Sequence, residues 1–344
     1  MAALPTPPSD GPAASALNPI TSGPTTSGPP TSGPGSSGSS ALVPSASGQS
    51  IIEVPGPWRH RNAAANGARF HLVEAGAGPL VLLLHGFPEF WWAWRHQLEA
   101  LAAAGYRAVA MDLRGYGGSD MTPRGYDPFT LAADVAGIVR ALGERRATVV
   151  GHGLGGFIGW STAVLQTPFV ERLAVVSALH PRQARSTNPR RLVGLTATLE
   201  FQLPWLPERK LRADGGAWVE ELLRRWAAPG WPDAETARRY REAMQLWPAP
   251  HCALEYPRWL VRSSVRTDGR RFAARMREPV TVPVLHVHGE LDGAISAVAA
   301  AAARGYVRGP YRWLQLPGVG HFPHEEAPER FTAALLSWIQ DDGR

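Results

Sequence analysis

Cysteine is almost absent: Cys252 is the only one in 344 residues. No intrachain disulfide can form, and no thiolate cluster can hold a metal. That agrees with a reducing cytoplasm, which is the expected location. Lysine is as scarce. Lys210 stands alone, and every other basic side chain is arginine. With 36 glycines, 32 prolines and abundant alanine, this reads as a compositional bias. A pI near 10.0 is then weak ground for a nucleic-acid partner, and none is expected. Nothing approaches the roughly 18 consecutive apolar residues of a membrane span. The run Leu80 to Leu84 reads instead as a buried strand. No Lys or Arg precedes Arg59, so the basic and apolar regions of a secretory signal are missing.

Residues 1–50 have hardly a charge. Thr21-Ser22-Gly23-Pro24 is echoed at Thr26-Ser27-Gly28-Pro29 and Thr31-Ser32-Gly33-Pro34. Such a segment cannot bury a core and is expected to be disordered. Basic excess concentrates between Arg182 and Pro279, with 19 basic against 11 acidic side chains. Solvated helix faces explain it most simply; attraction of an anionic ligand or membrane surface is the alternative.

From Ile51 the patterns alternate. Asn66-Gly67 marks a type I′ hairpin. Leu80–Leu84, Tyr106–Met111, Ala147–Val150, Leu173–Ser177, Val282–Val287 and Tyr311–Leu316 read as strands. Trp91–Ala104, Leu131–Leu142, Phe157–Gln166 and Ala327–Gln340 read as helices. Strand–helix alternation argues an α/β fold with a mostly parallel sheet flanked by helices. It stops between residues 182 and 279, where Arg/Glu-rich helical patterns and many tryptophans read as a helical lid. The expected organisation is a tail (1–50), a core (51–181), the lid (182–279) and the rest of the core (280–344).

The absence that matters most is at position 153. Gly151-His152-Gly153-Leu154-Gly155-Gly156 joins a strand to a helix with small residues two before and two after the centre. This is a nucleophile elbow, whose centre should be Ser, Asp or Cys. Gly153 has no side chain to react. Four other motifs fall at strand ends, where open α/β sheets place their sites. They are His85-Gly86-Phe87-Pro88-Glu89, Asp112-Leu113-Arg114-Gly115-Tyr116-Gly117, His288-Gly289-Glu290-Leu291-Asp292, and Gly320-His321-Phe322-Pro323-His324-Glu325.

These motifs, together with Phe90-Trp91 and Phe201-Gln202-Leu203-Pro204, resemble the α/β-hydrolase fold, in its epoxide-hydrolase-like branch. The order of nucleophile position, acid and histidine is the hydrolase order. On this resemblance His321 is the expected general base, with His324 its rival. Asp292 would hold its tautomer, with Glu290 the substitute. The backbone N–H groups of Phe87 and Leu154 would form an oxyanion hole. The Phe87–Pro88 bond is expected to be cis. Pro88, Trp92, Phe201 and Tyr256 are candidate pocket residues. Asp112 and Arg114 read as a structural network, and His152 as a packed neighbour. No cofactor or metal is expected; the partner is a small molecule.

Three departures separate the chain from epoxide opening. The family's nucleophilic aspartate is Gly153. One lid tyrosine, which would donate to the epoxide oxygen, falls on Pro257, with Tyr256 one residue off. The other would lie in Thr196–Glu200, which holds no tyrosine. In addition, Leu154 replaces the family's common tryptophan, which removes a halide donor. Three functions stay open. One is a hydrolase in which His321, Asp292 and water act on a small apolar substrate. The others are an enzyme abstracting a substrate proton through the same pair (a lyase or cofactor-free oxygenase), and a non-catalytic binding protein.

Overall fold

The computed structural model describes residues 46–184 and 199–341. Most of the expected disordered tail, and residues 185–198 of the lid, lie outside these. The start of order is corrected. Helix α1 (Ala46–Ile52) begins five residues before the sequence boundary. Its anchor is Ile52, which is buried and accepts a hydrogen bond on its carbonyl from Trp91 Nε1 at 2.8 Å.

Strands β1 (Arg59–Ala65) and β2 (Ala68–Ala75) pair across Asn66-Gly67, whose φ values of 45° and 74° are those of the predicted turn. Then come β3 (Leu80–Leu84), β4 (Arg107–Met111), β5 (Ala147–His152), β6 (Val170–Val176), β7 (Val284–Gly289) and β8 (Tyr311–Leu316). The sheet order is β1-β2-β4-β3-β5-β6-β7-β8. β2 runs antiparallel to β4, and every pair from β4 to β8 is parallel. β3 is buried along its whole length, as a continuous apolar run with both faces covered must be.

The helix expected from Trp91 is split into a 3₁₀ turn (Trp91–Trp94) and α2 (Arg95–Ala103). The backbone N–H of Trp91 is drawn aside to Asp112 Oδ1 at 2.7 Å. Helix α3 (Pro128–Ala141) starts earlier than its apolar pattern, because Asp127 caps it by accepting from the Phe129 and Thr130 amides. Helix α4 (Gly153–Leu165) also starts earlier than read: the glycines taken as a turn form its first coil.

Among the described residues, no strand lies between β6 and β7 apart from an isolated bridge at Val280, and the longer helices there are Leu206–Arg212, Ala217–Trp226, Ala234–Gln245, Ala249–Arg262 and Thr267–Arg275. Ala217–Trp226 buries Val219, Leu222, Leu223 and Trp226, the i, i+3, i+4, i+7 stripe of a helix packed on one side. Its outer face carries Glu220–Arg224 and Glu221–Arg225, and the next helix carries Glu235–Arg239 and Arg238–Glu242. Much of the lid's basic excess is thus paired on wet helix faces, where each pair contributes about 0.3–0.5 kcal/mol. No helix among the described residues is long and apolar enough to cross a membrane.

Candidate active site

The elbow forms where β5 meets α4, and its small residues are sterically required. A Cβ on Gly151 would stand 2.3 Å from the Gly155 carbonyl oxygen, and one on Gly155 would stand 2.2 Å from that of Leu84. Gly153 sits at φ +49°, the left-handed region glycine enters freely. There the space is open. A Cβ would meet only His321 Nε2 at 3.6 Å and Gly86 Cα at 3.9 Å.

His321, in the loop after β8, is buried and turns Nδ1 to Asp292 Oδ2 at 2.9 Å. Asp292 follows β7, and its other oxygen accepts the Ala294 and Ile295 amides, each at 2.8 Å. Burial alone would raise the Asp292 carboxyl. His321, His288 and the amides outweigh it and hold the group below the ordinary carboxylate value. Nε2 of His321 pairs with no group among the described residues and faces the space over Gly153. The rival residues are elsewhere. Glu290 accepts the Gly318 amide, and His324 is fully buried behind His152.

Phe87 and Leu154 line the same space, and no acceptor for either backbone amide is found among the described residues. The Phe87–Pro88 bond is cis. Above lies a cavity of about 260 Å³, walled mainly by apolar side chains from α3, α4 and the lid, including Leu131, Phe157, Phe201, Trp226, Trp259 and Leu260. Phe201 and Tyr256 reach it, as does Pro257. Pro88 and Trp92 do not, which corrects their placement. With Phe87 facing the cavity, its neighbour Pro88 is turned into the interior. Trp92 is held between Arg95 and Arg239, 3.6 and 5.0 Å from its ring. The spacing of a loop motif does not say which of its side chains turn outward.

Two tyrosines touch the cavity, and neither offers it a hydroxyl among these contacts. Tyr256 donates to the Arg114 carbonyl at 2.6 Å and Tyr126 to that of Thr122 at 2.5 Å. Burial pushes both phenols well above their usual value. Asp112 and Arg114 form the expected loop network. Asp112 accepts from Trp91, Gly118 and His71, and Arg114 grips Asp134.

Three supports escaped the sequence reading. Glu89 and His152 form a fully buried pair at 2.7 Å, and His152 Nε2 lies 2.9 Å from the His321 carbonyl oxygen, placed to donate to it. Burial would raise Glu89 and lower His152. Their mutual attraction prevails, so Glu89 is held well below and His152 above its ordinary value. His324 Nε2 is 3.2 Å from Glu89 without aligning for a hydrogen bond. These three residues are the one group among the described residues able to converge on a metal ion. Both nitrogens of His152 already have partners there, so no metal role is assigned. Next, Glu326 accepts the amides of Gly320, Phe322 and Ala228 at 2.8–2.9 Å, wrapping the His321 turn. A carboxylate five residues beyond a Gly-His turn was the available signal. Finally, the Trp226 carbonyl of the lid accepts the amides of His321 and Gly293.

Glu326→Gln should retain some of these bonds and Glu326→Ala none. Alanine is expected to cost about 2–4 kcal/mol in urea denaturation, since three amides lose a charged acceptor. An alanine variant as stable as the native chain would show that the turn needs no such clamp.

A model of the alpha/beta hydrolase family matches residues 81–334. Epoxide hydrolase 3 of Xenopus tropicalis is 33% identical over 286 residues, covering 80% of this chain and 76% of that protein. Epoxide hydrolase A of Mycobacterium tuberculosis is 31% identical over 315 residues, covering 80% and 95%. Among solved structures, epoxide hydrolase A from Mycobacterium thermoresistibile superposes with a TM-score of 0.72 at 28% identity, covering 83% of this chain and 98% of that one. With the elbow, the strand-end loops and the sheet order in place, the chain belongs to the α/β-hydrolase family, as an epoxide-hydrolase-like member.

Proposed function

We propose that the protein is a hydrolase of small apolar substrates that uses His321, Asp292 and water in place of a covalent nucleophile. The carrying observation is His321 Nε2, unpartnered and 3.6 Å from the point where a side chain at 153 would begin. A water in that space gives its proton to Nε2 as its oxygen bonds to a carbonyl carbon. The carbonyl oxygen takes up the charge opposite the Phe87 and Leu154 amides. Asp292 holds Nδ1 and stabilises the imidazolium. Collapse returns the proton to the leaving oxygen, releasing an acid and an alcohol. Esters suit these groups better than epoxides, because both tyrosine hydroxyls at the cavity are spent on backbone carbonyls. An oxyanion hole and positioning alone sustain about 10³–10⁴-fold over water. A cytoplasmic location fits the single cysteine, Cys252, which is buried and free.

The same tyrosine geometry favours a second reading, a binding protein without turnover. A panel of p-nitrophenyl esters separates the two. His321→Ala is expected to lower kcat/KM by about 10²–10⁴-fold, the usual worth of a general base. If native and His321→Ala chains are equally inert while an apolar ligand raises the Tm of both, the binding reading replaces the catalytic one.

A further inference from the structure

We infer that the space over Gly153 is a carboxylate-binding slot, and that the cavity takes small monocarboxylates with an apolar tail. The slot's polar boundary is two backbone donors and His321 Nε2, which accepts in the neutral ring and donates in the protonated one. The amides of Phe87 and Leu154 are unpaired among the described residues. The second of these opens α4, a 13-residue helix whose N-terminus favours negative charge. His321, only 5% exposed, adds Nε2, which donates once the ring carries its second proton. A neutral amide or alcohol offers these amides one uncharged acceptor oxygen. A carboxylate brings two acceptor oxygens and a charge, and charge-assisted hydrogen bonds are about twice as strong as neutral ones.

The surroundings do not repel it. No Asp or Glu lines the cavity among the described residues. Asp292 lies behind the imidazole and binds its far nitrogen at 2.9 Å, and the buried Glu89 is turned to the Gly86 amide and His152. The slot is also large enough, since the missing side chain leaves nothing within 3.6 Å of the Cβ position. Beyond it, Leu131, Phe157, Trp226, Trp259 and Leu260 supply an apolar wall for the tail. Among the described residues no arginine or lysine lines the cavity, so an uncharged tail fits these walls. This inference goes beyond the hydrolytic reading, because binding needs only the donors and not an activated water. The acid released by ester hydrolysis would belong to the same ligand class.

The test is calorimetric titration of the full chain with 3-phenylpropanoate and its neutral isostere, 3-phenylpropanamide. The carboxylate is expected to bind at least tenfold more tightly. Gly153→Asp places a tethered carboxylate in the slot and should weaken 3-phenylpropanoate at least tenfold while leaving the amide within about threefold. His321→Gln, which keeps bulk but cannot take up a proton, should narrow the preference and serves if the aspartate variant fails to fold. Equal binding of acid and amide overturns the inference, as does no heat from either at millimolar concentration. An unchanged preference in folded Gly153→Asp or His321→Gln overturns it too. Ester turnover without carboxylate binding would sink this slot and leave the hydrolase reading standing. Carboxylate binding without turnover would do the reverse.

Discussion

Gly153→Asp combined with His321→Ala is expected to gain the mass of one styrene oxide per chain, where the native chain gains none. The reasoning starts from the backbone. A Cβ at 153 meets nothing closer than 3.6 Å, so the new side chain enters without a clash. At φ +49° aspartate is among the residues that tolerate the left-handed region, at a cost of about 1–3 kcal/mol. The carboxylate then points into the apolar cavity. One of its oxygens bonds to an epoxide carbon, the ring C–O bond breaks, and the alkoxide takes a proton from water. With both wall tyrosines bonded to carbonyls, no phenol assists, so the adduct should build up over hours. Removing His321 withdraws the proposed base for ester hydrolysis, so the adduct should accumulate. Gly153→Asp alone should show less adduct and some diol. Intact-mass spectrometry reads both. A folded double variant that stays unmodified would mean the slot does not present a side chain to a bound electrophile.

Acid is expected to destabilise the chain from about pH 6.5 downward, beginning above the range where most carboxylates titrate. Burial pushes His180 and His286 down to about 3 and His324 down to about 4. In the unfolded chain each takes a proton near pH 6.5, while in the folded chain each stays neutral. Below 6.5 the unfolded state therefore binds more protons, and stability falls with pH by up to about 1.4 kcal/mol per histidine per pH unit. Glu325 acts in the opposite sense. Burial raises it to about 7, so the folded state already holds its proton. Its contribution is fully present below the unfolded value near 4.5 and is lost as pH rises through 7. Over the shared window one histidine is cancelled, leaving a net slope of about 3 kcal/mol per pH unit at its steepest. Against a typical total stability of 5–15 kcal/mol this is decisive. Urea denaturation at half-unit steps measures it. Stability that is flat from pH 6.5 to 5 would show that these rings do take protons in the folded state.

What could be read in advance divides along a physical line. The elbow, the hairpin turn and the parallel strands depend on residues adjacent in sequence. Gly151 and Gly155 are small because backbone crosses within 2.3 Å, and Asn66-Gly67 marks a turn that needs two positive φ values. His321 and Asp292 were legible as a pair because each ends a strand of the same sheet. The groups that hold them were not. Glu89 meets His152 across 63 positions, and the lid's Trp226 accepts the His321 amide on a carbonyl, which every residue type possesses. Helix starts were misjudged where a cap overrode apolar spacing, at Asp127 before α3, and where glycines read as a turn were already helical, at the opening of α4.

The Trp226 carbonyl has one more consequence. It is shared by the amides of His321 and Gly293, and Ala228 nearby is tied to Glu326. The lid is thus latched to the very turn that carries the imidazole and to the loop that carries its carboxylate. Were this end to lift, the base would lose its anchor in the same motion. On the hydrolase reading proposed above, opening here and proton transfer would exclude one another: an unlatched cavity would also be a disarmed one.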